Sequence, residues 1–318
     1  MAGEFALIDR IRARVVRRDD VVLGIGDDAA LLQPAAGEQL VVAMDTLNVD
    51  VHFPGDTAPA DIGWKALAVN LSDLAAMGAR PAWCTLSLSL PAPDAGWVDA
   101  FLDGFDALAR PHAVALVGGD TTRGPLSVCV AVHGFVAPGR ALRRDRAQVG
   151  DDVWVSGTLG DAAAALAQWT AGGARDAALR RRLDRPEPRL ALGQALAAHA
   201  HAAIDVSDGL LADLGHVCRA SGVGAQIDVD ALPASEALRR AAADAGQRRV
   251  LQAAGGDDYE LCFTAPQHAR AAIDEIARAS GTPAIRIGRI VAGDGVVATT
   301  GDGTAWTPAR AGWDHFAG

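Results

Sequence analysis

Apolar residues fall along this chain in two rhythms. Short apolar or alternating runs rich in β-formers occupy residues 40–44, 84–90, 114–117, 126–136, 152–156, 258–264 and 284–291, and their length and composition predict strands. Between them, apolar positions recur at helical spacing over 59–79, 97–110, 161–169, 188–200, 210–220, 235–245 and 267–280. Strands and helices that interleave in this way predict an α/β (α+β layered) fold rather than a bundle or a sandwich. At the N-terminus, Phe5, Ile8, Ile11 and Val15 stand at helical spacing among acids and arginines, which predicts an amphipathic helix rather than an export signal. The longest break in regular pattern is the polar, Arg-rich stretch 137–152. A boundary there gives an N-terminal domain over 1–140 and a C-terminal α/β domain over 150–318.

Composition narrows the function classes. With 50% hydrophobic and 21% charged residues, the 318-residue chain has ample material for buried cores. Its formal net charge of −10 and lack of a basic block disfavour nucleic-acid binding. The short runs Arg17-Arg18 and Arg180-Arg181-Arg182 read as solvated helix ends. No apolar span is long enough for a membrane helix, and the expected location is the cytoplasm. The four cysteines, Cys84, Cys129, Cys218 and Cys262, form no CxxC pair and lie in apolar stretches. They are expected to be buried, reduced thiols. Lys65 is the only lysine, and Trp64 precedes it, so no lysine-bearing phosphate-binding loop exists.

Against this background the placing of acids stands out. Asp27 and Asp28 sit in GIGDDAA (24–30), between two apolar runs. Asp45 closes an apolar run, Asp73 lies three residues after Asn70 in an apolar helix, and Asp120 follows the glycines of VGGDTT (117–122). Asp205 and Asp208 flank Ser207 in DVSDG (205–209), ahead of a predicted helix near Leu210. Taken singly, each is also what a turn acid or a helix cap provides. Together they are a set of hard oxygen donors, the chemistry that holds Mg²⁺ and bridges it to substrate phosphates. Glycine beside them lets main-chain N–H groups approach an anion.

Seven segments in order carry a resemblance over nearly the whole chain: GIGDDAA, KALAVNLSDLAAMGA (65–79), GGDTTRGPLS (118–127), the stretch 139–163, IDVSDGL (204–210), GGDDYELCF (255–263) and GWDHF (312–316). They are similar to the thiamine-monophosphate kinase family, which groups with aminoimidazole ribonucleotide synthetase, selenophosphate synthetase and a hydrogenase maturation factor. The resemblance implies a two-domain aminoimidazole ribonucleotide synthetase-like fold, a homodimer joined through N-terminal strands, several Mg²⁺ ions, and ATP as co-substrate. It implies metal ligation by Asp28, Asp45, Asp73, Asp120, Asp205 and Asp208, with Asp27 as a neighbour and Met44 offering only its main-chain oxygen. Gly119, Asp120, Arg144 and Ser207 would contact ATP, and His52, Asp257 and Trp313 the thiamine phosphate. Asp120, Arg144 and Asp208 would bear on the transfer itself. This chain departs from the family at Ala43 and Met44, where hydroxyl residues are frequent, at Asp50, where glycine is common, and at Asp257, where Glu is usual.

The implied reaction is direct, in-line phosphorylation of thiamine monophosphate to thiamine diphosphate, with no covalent enzyme intermediate. Alternatives are another ATP-using synthetase of the superfamily, or a non-catalytic Mg-nucleotide-binding dimer. Selenophosphate synthesis needs an early reactive cysteine, whereas the first here is Cys84. The maturation factor ends in a cysteine, whereas this chain ends in HFAG.

Overall fold

The computed structural model describes residues 4–173 and 175–313. Two compact units result: Met1–Leu74 with Ala79–Gly139, and Ala75–Gly78 with Arg140–Gly318. Of the GWDHF segment, Asp314, His315 and Phe316 lie outside the described residues.

The first unit runs α1 (Glu4–Arg14), β1 (Val21–Leu23), β2 (Leu31–Leu32), β3 (Gln39–Asn48), α2 (Pro59–Ala76), β4 (Arg80–Leu90), α3 (Ala95–Ala109), β5 (Ala115–Arg123) and β6 (Ser127–Val136). Among the described side chains of α1, Leu7 and Ile11 are buried, and Val15 lies beyond its end. A four-stranded sheet has the order β3-β6-β4-β5. Only the β4–β5 pair is parallel. Alternation along the strands puts Val128, Val130, Val132, Leu86 and Leu88 on one buried face. Helices α2 and α3 approach so closely that a Cβ on Gly63 would stand 2.0 Å from the Phe101 carbonyl oxygen, and one on Gly104 1.6 Å from that of Ala60. Lys65 is buried in α2 and donates from Nζ to the His52 carbonyl at 2.9 Å. Strand β3 is an edge, and its Leu40, Val42 and Met44 are 49%, 56% and 64% exposed.

The second unit runs β7 (Asp152–Ser156), α4 (Asp161–Thr170), α5 (Ala177–Asp184), α6 (Leu190–Leu196), β8 (Ala202–Asp205), α7 (Leu210–Ser221), β9 (Gly224–Asp228), α8 (Glu236–Ala241), α9 (Ala245–Ala254), β10 (Leu261–Ala265), α10 (Arg270–Ser280), β11 (Ala284–Val291), β12 (Gly295–Thr299) and β13 (Ala305–Trp306). Its seven-stranded sheet has the order β13-β12-β9-β11-β7-β10-β8. Val153, Val155, Ile204, Ile227, Cys262 and Ile287 pack with Leu210, Leu214 and Val217 of α7 into one core. No described helix is long and apolar enough to cross a membrane.

Several expected elements change on folding. The helix expected over 235–245 is two, because Asp244 caps a new start by accepting the Gln247 N–H at 2.7 Å. The strand expected over 258–264 begins only at Leu261. The arginine runs are solvated only in part: Arg17 and Arg181 are exposed, whereas the other three reach acids. Arg182 donates to the buried Glu260, Arg180 pairs with Asp184, and Arg18 pairs with Asp20. All four cysteines are free, and three are buried; Cys129 is half-buried.

Candidate functional site

In the first unit, Asp27 and Asp28 occupy the irregular segment between β1 and β2, and Asp28 is exposed with its N–H donated to Asp27 Oδ1 at 2.8 Å. Asp45 does not close its strand, since β3 continues to Asn48 through pairing with β6. The Asp45 N–H turns away from β6 to the buried Asn70 Oδ1, at 2.9 Å. Alternate residues of an antiparallel ladder face opposite neighbours, so Met44's main chain faces β6 and its side chain meets solvent. Asn70 in turn donates to the Ala66 carbonyl at 2.9 Å, and it sits well inside α2 rather than capping a helix. Asp73, a turn further on, is half-buried.

Asp120 is not in a turn either. Strand β5 continues through the glycines to Arg123, with Gly119 opposite Leu86 and Asp120 opposite Ser87. A Cβ on Gly119 would lie 1.8 Å from the Leu86 carbonyl oxygen, so glycine is what allows the strands to close. Asp120 is exposed on the same face as Ser87 and Thr122. His52 lies in the turn after β3, where its N–H donates to the Asn48 carbonyl at 3.0 Å and its Nδ1 accepts the Asn48 N–H at 2.9 Å. That turn needs a left-handed residue at Asp50, with φ 63°. Aspartate tolerates this region better than most side chains, which accounts for its standing where glycine is common.

In the second unit, Asp205 ends β8 and is buried. Neither Ser207 nor Asp208 caps α7. Asp213, from the first turn of the helix, reaches back and accepts the N–H groups of Ser207, Asp208 and Gly209 at 3.1, 3.2 and 3.1 Å. The anion at this helix start is therefore the helix's own carboxylate. Burial, followed by the charges of Asp205 and Asp208, pushes the Asp213 carboxyl up to about 7, against the pull of N–H bonds from Gly209 and Asp208. The sequence hint was an acid four residues after Gly209, the first-turn preference for acids.

Asp257 and Trp313 are tied to the same turn. The Asp257 N–H donates to the Ser207 carbonyl, and the Trp313 N–H to the Asp208 carbonyl, both at 2.8 Å. Trp313 is 55% exposed. The only tyrosine, Tyr259, donates its hydroxyl to Asp257 Oδ1 at 3.1 Å. Arg144 opens the single turn Arg144–Arg146, where its carbonyl accepts the Ser221 hydroxyl at 2.8 Å, at the C-terminal end of α7.

Among the described residues, no group of three or more His, Cys, Asp or Glu is closed around a point that could hold a metal. Asp205 and Asp208 flank Ser207, and their charges oppose ionisation of Asp213; carboxylate oxygens are the donors that hard divalent cations take.

Both units have counterparts among known proteins. Residues 26–136 match AIR synthase related protein, N-terminal domain, and residues 148–301 match AIR synthase related protein, C-terminal domain. Fold and acidic turns together therefore define a two-domain AIR-synthase-related protein. Over 322 residues the chain is 49% identical to thiamine-monophosphate kinase of Salmonella typhimurium, covering 99% of this chain and 98% of that one. The crystal structure of thiamine-monophosphate kinase from Stenotrophomonas maltophilia K279a matches with TM-score 0.88 at 60% identity, over 96% of this chain and 98% of that one. A structure of AaThiL complexed with AMPPCP and TMP matches with TM-score 0.78 at 33% identity, over 99% and 97%. The chain belongs to the thiamine-monophosphate kinase family.

Proposed function

We propose that the chain transfers a phosphoryl group from ATP to thiamine monophosphate, giving thiamine diphosphate and ADP in one in-line step. The observation that carries this reading is the pinning of Asp257 and Trp313 to the carbonyls of Ser207 and Asp208. An indole and a carboxylate suited to a cationic thiazolium thus stand on the same turn as acids suited to metal. The relatives named above support the choice of substrates.

The acceptor is a phosphate monoester, whose second pKa of about 6 leaves it ionised at neutral pH. It needs no general base. The obstacle is repulsion between two polyanions, about 4 kcal/mol for one pair of unit charges at 4 Å and an effective dielectric of 20. Bound Mg²⁺ supplies the positive charge that lets donor and acceptor approach. Asp28, Asp45, Asp73 and Asp120 of the first unit, and Asp205 and Asp208 of the second, are the residues we assign to hold Mg²⁺; the main-chain oxygen of Met44 is not among them, because it faces β6. Gly119 and Ser207 border the nucleotide, Arg144 offsets charge on the transferred group, and His52 faces the substrate phosphate. The exposed apolar row Leu40, Val42 and Met44 supports a homodimer through β3. The buried, free thiols Cys84, Cys218 and Cys262 support a reducing, cytoplasmic setting.

Incubating the purified protein with ATP, Mg²⁺ and thiamine monophosphate should yield thiamine diphosphate and ADP in equal amounts. ATP binding without thiamine diphosphate formation leaves only the non-catalytic nucleotide-binding reading.

A further inference from the structure

The segment that carries Asp257 alternates in a regular way. Asp257 and Tyr259 have left-handed backbones, with φ 65° and 49°, and lie against the 205–208 turn. The Tyr259 N–H donates to the Val206 carbonyl at 2.9 Å. Asp258 and Glu260, between and after them, send their side chains the other way and are buried. The Asp258 carboxyl accepts the Gly160 N–H with both oxygens, at 3.0 and 2.9 Å.

Glu260 is held harder still. Arg189 grips it at both ends, Nε to Oε2 at 2.7 Å and Nη2 to Oε1 at 2.5 Å. Arg182 Nη2 adds a bond to Oε1 at 2.7 Å, and the Ser156 hydroxyl one to Oε2 at 2.5 Å. Burial opposes its charge, but Arg189 and Arg182 outweigh burial and hold its carboxyl below the usual range. Gly157 lets it fit, because a Cβ there would stand 2.1 Å from Oε1. The Glu260 carbonyl accepts the Val206 N–H at 2.8 Å, so the clamped residue is also stitched to the strand end between Asp205 and Ser207.

Two non-glycine residues in a sparsely populated backbone region persist only where their surroundings over-determine them. Here the over-determination comes from the next side chain along. We propose that Glu260, clamped by Arg182 and Arg189, is a positioning residue for recognition of the thiamine phosphate. It holds Asp257 and Tyr259 in their left-handed backbone, so that the Asp257 carboxylate is fixed beside Ser207 before substrate arrives. The inference rests on the functional reading above and adds to it three residues that touch no substrate.

Glu260→Gln keeps the shape and removes the charge, while Arg182→Lys leaves the Arg189 grip intact. Steady-state kinetics in both substrates, with melting temperatures, test them. The expected result is a KM for thiamine monophosphate raised on the order of tenfold or more, as small misplacements of positioned groups produce, with the KM for ATP unchanged. Tyr259→Phe should show the same direction at wild-type melting temperature. Lower melting temperatures with both KM values unchanged overturn the proposal and leave Glu260 a structural ion. If Glu260→Gln does not fold, Arg182→Lys decides on the same criterion. A wild-type protein that makes no thiamine diphosphate overturns the functional reading and this inference with it, whereas failure confined to the variants overturns this inference alone.

Discussion

Asp213 is bound and repelled by the same residue. Its carboxylate accepts the main-chain N–H of Asp208 at 3.2 Å, while the Asp208 side-chain charge, with that of Asp205, works against its ionisation. The start of α7 is thus ordered by an acid whose charge is unwelcome there. Asp213→Ala should cost about 1–3 kcal/mol, the range for leaving buried N–H groups without an acceptor. Asp213→Asn keeps an acceptor oxygen and should retain most of that stability. Chemical denaturation of the two variants decides, and equal losses would mean that the three N–H bonds contribute nothing.

Asp120 is exposed on β5 and its side chain supports no core. Asp120→Asn should lower turnover on the order of 10²-fold, the scale of losing one group that stabilises reacting charge, with melting temperature unchanged. Parallel losses in both would make it a structural acid.

Trp313 presents its indole to solvent while its main chain is pinned to Asp208. Trp313→Ala should forfeit about 0.5–2 kcal/mol of cation–π contact. It should therefore raise the KM for thiamine monophosphate and spare that for ATP. A fall in ATP affinity alone would reverse the assignment of this side of the site.

The neighbouring glycines of β5 should behave differently. A Cβ at Gly118 meets only Thr85 at 3.9 Å, whereas one at Gly119 meets the Leu86 carbonyl oxygen at 1.8 Å. Gly118→Ala should express as folded protein, and Gly119→Ala should lose most of its soluble yield. Equal yields would show that β4 and β5 can part without cost.

Val42 and Met44 share the exposed face of an edge strand. Glutamates at both positions should leave unit 1 folded and convert the proposed homodimer to monomers in sedimentation, since charge placed on an apolar contact is expensive to desolvate. A doubly substituted chain that sediments like wild type would move the interface elsewhere.

Much of the fold was legible because apolar rhythm dominates where strands and helices are buried. The runs 126–136 and 284–291 became β6 and β11 with little change. Legibility failed where pairing overrode local chemistry. Two glycines before Asp120 read as a turn, yet β4 recruits them into a strand through contacts that lie far away in sequence. Strands β1 and β2 hold three and two residues and are too short to show a period. The acids were legible as a set, but Asp213 was not among them, because it acts through a turn that forms only when α7 does. Arg182 and Arg189 were hidden for the opposite reason: nothing local distinguishes an arginine that reaches a buried Glu260 from one that reaches water.

Lys65, buried beneath the His52 turn, has a use beyond its hydrogen bond. Acylating reagents in solution find no exposed ε-amine on the folded chain, since its sole lysine lies in the core of α2. The rate at which that one ε-amine becomes modified is therefore a clock for how often unit 1 opens, readable by mass on the peptide that carries Lys65.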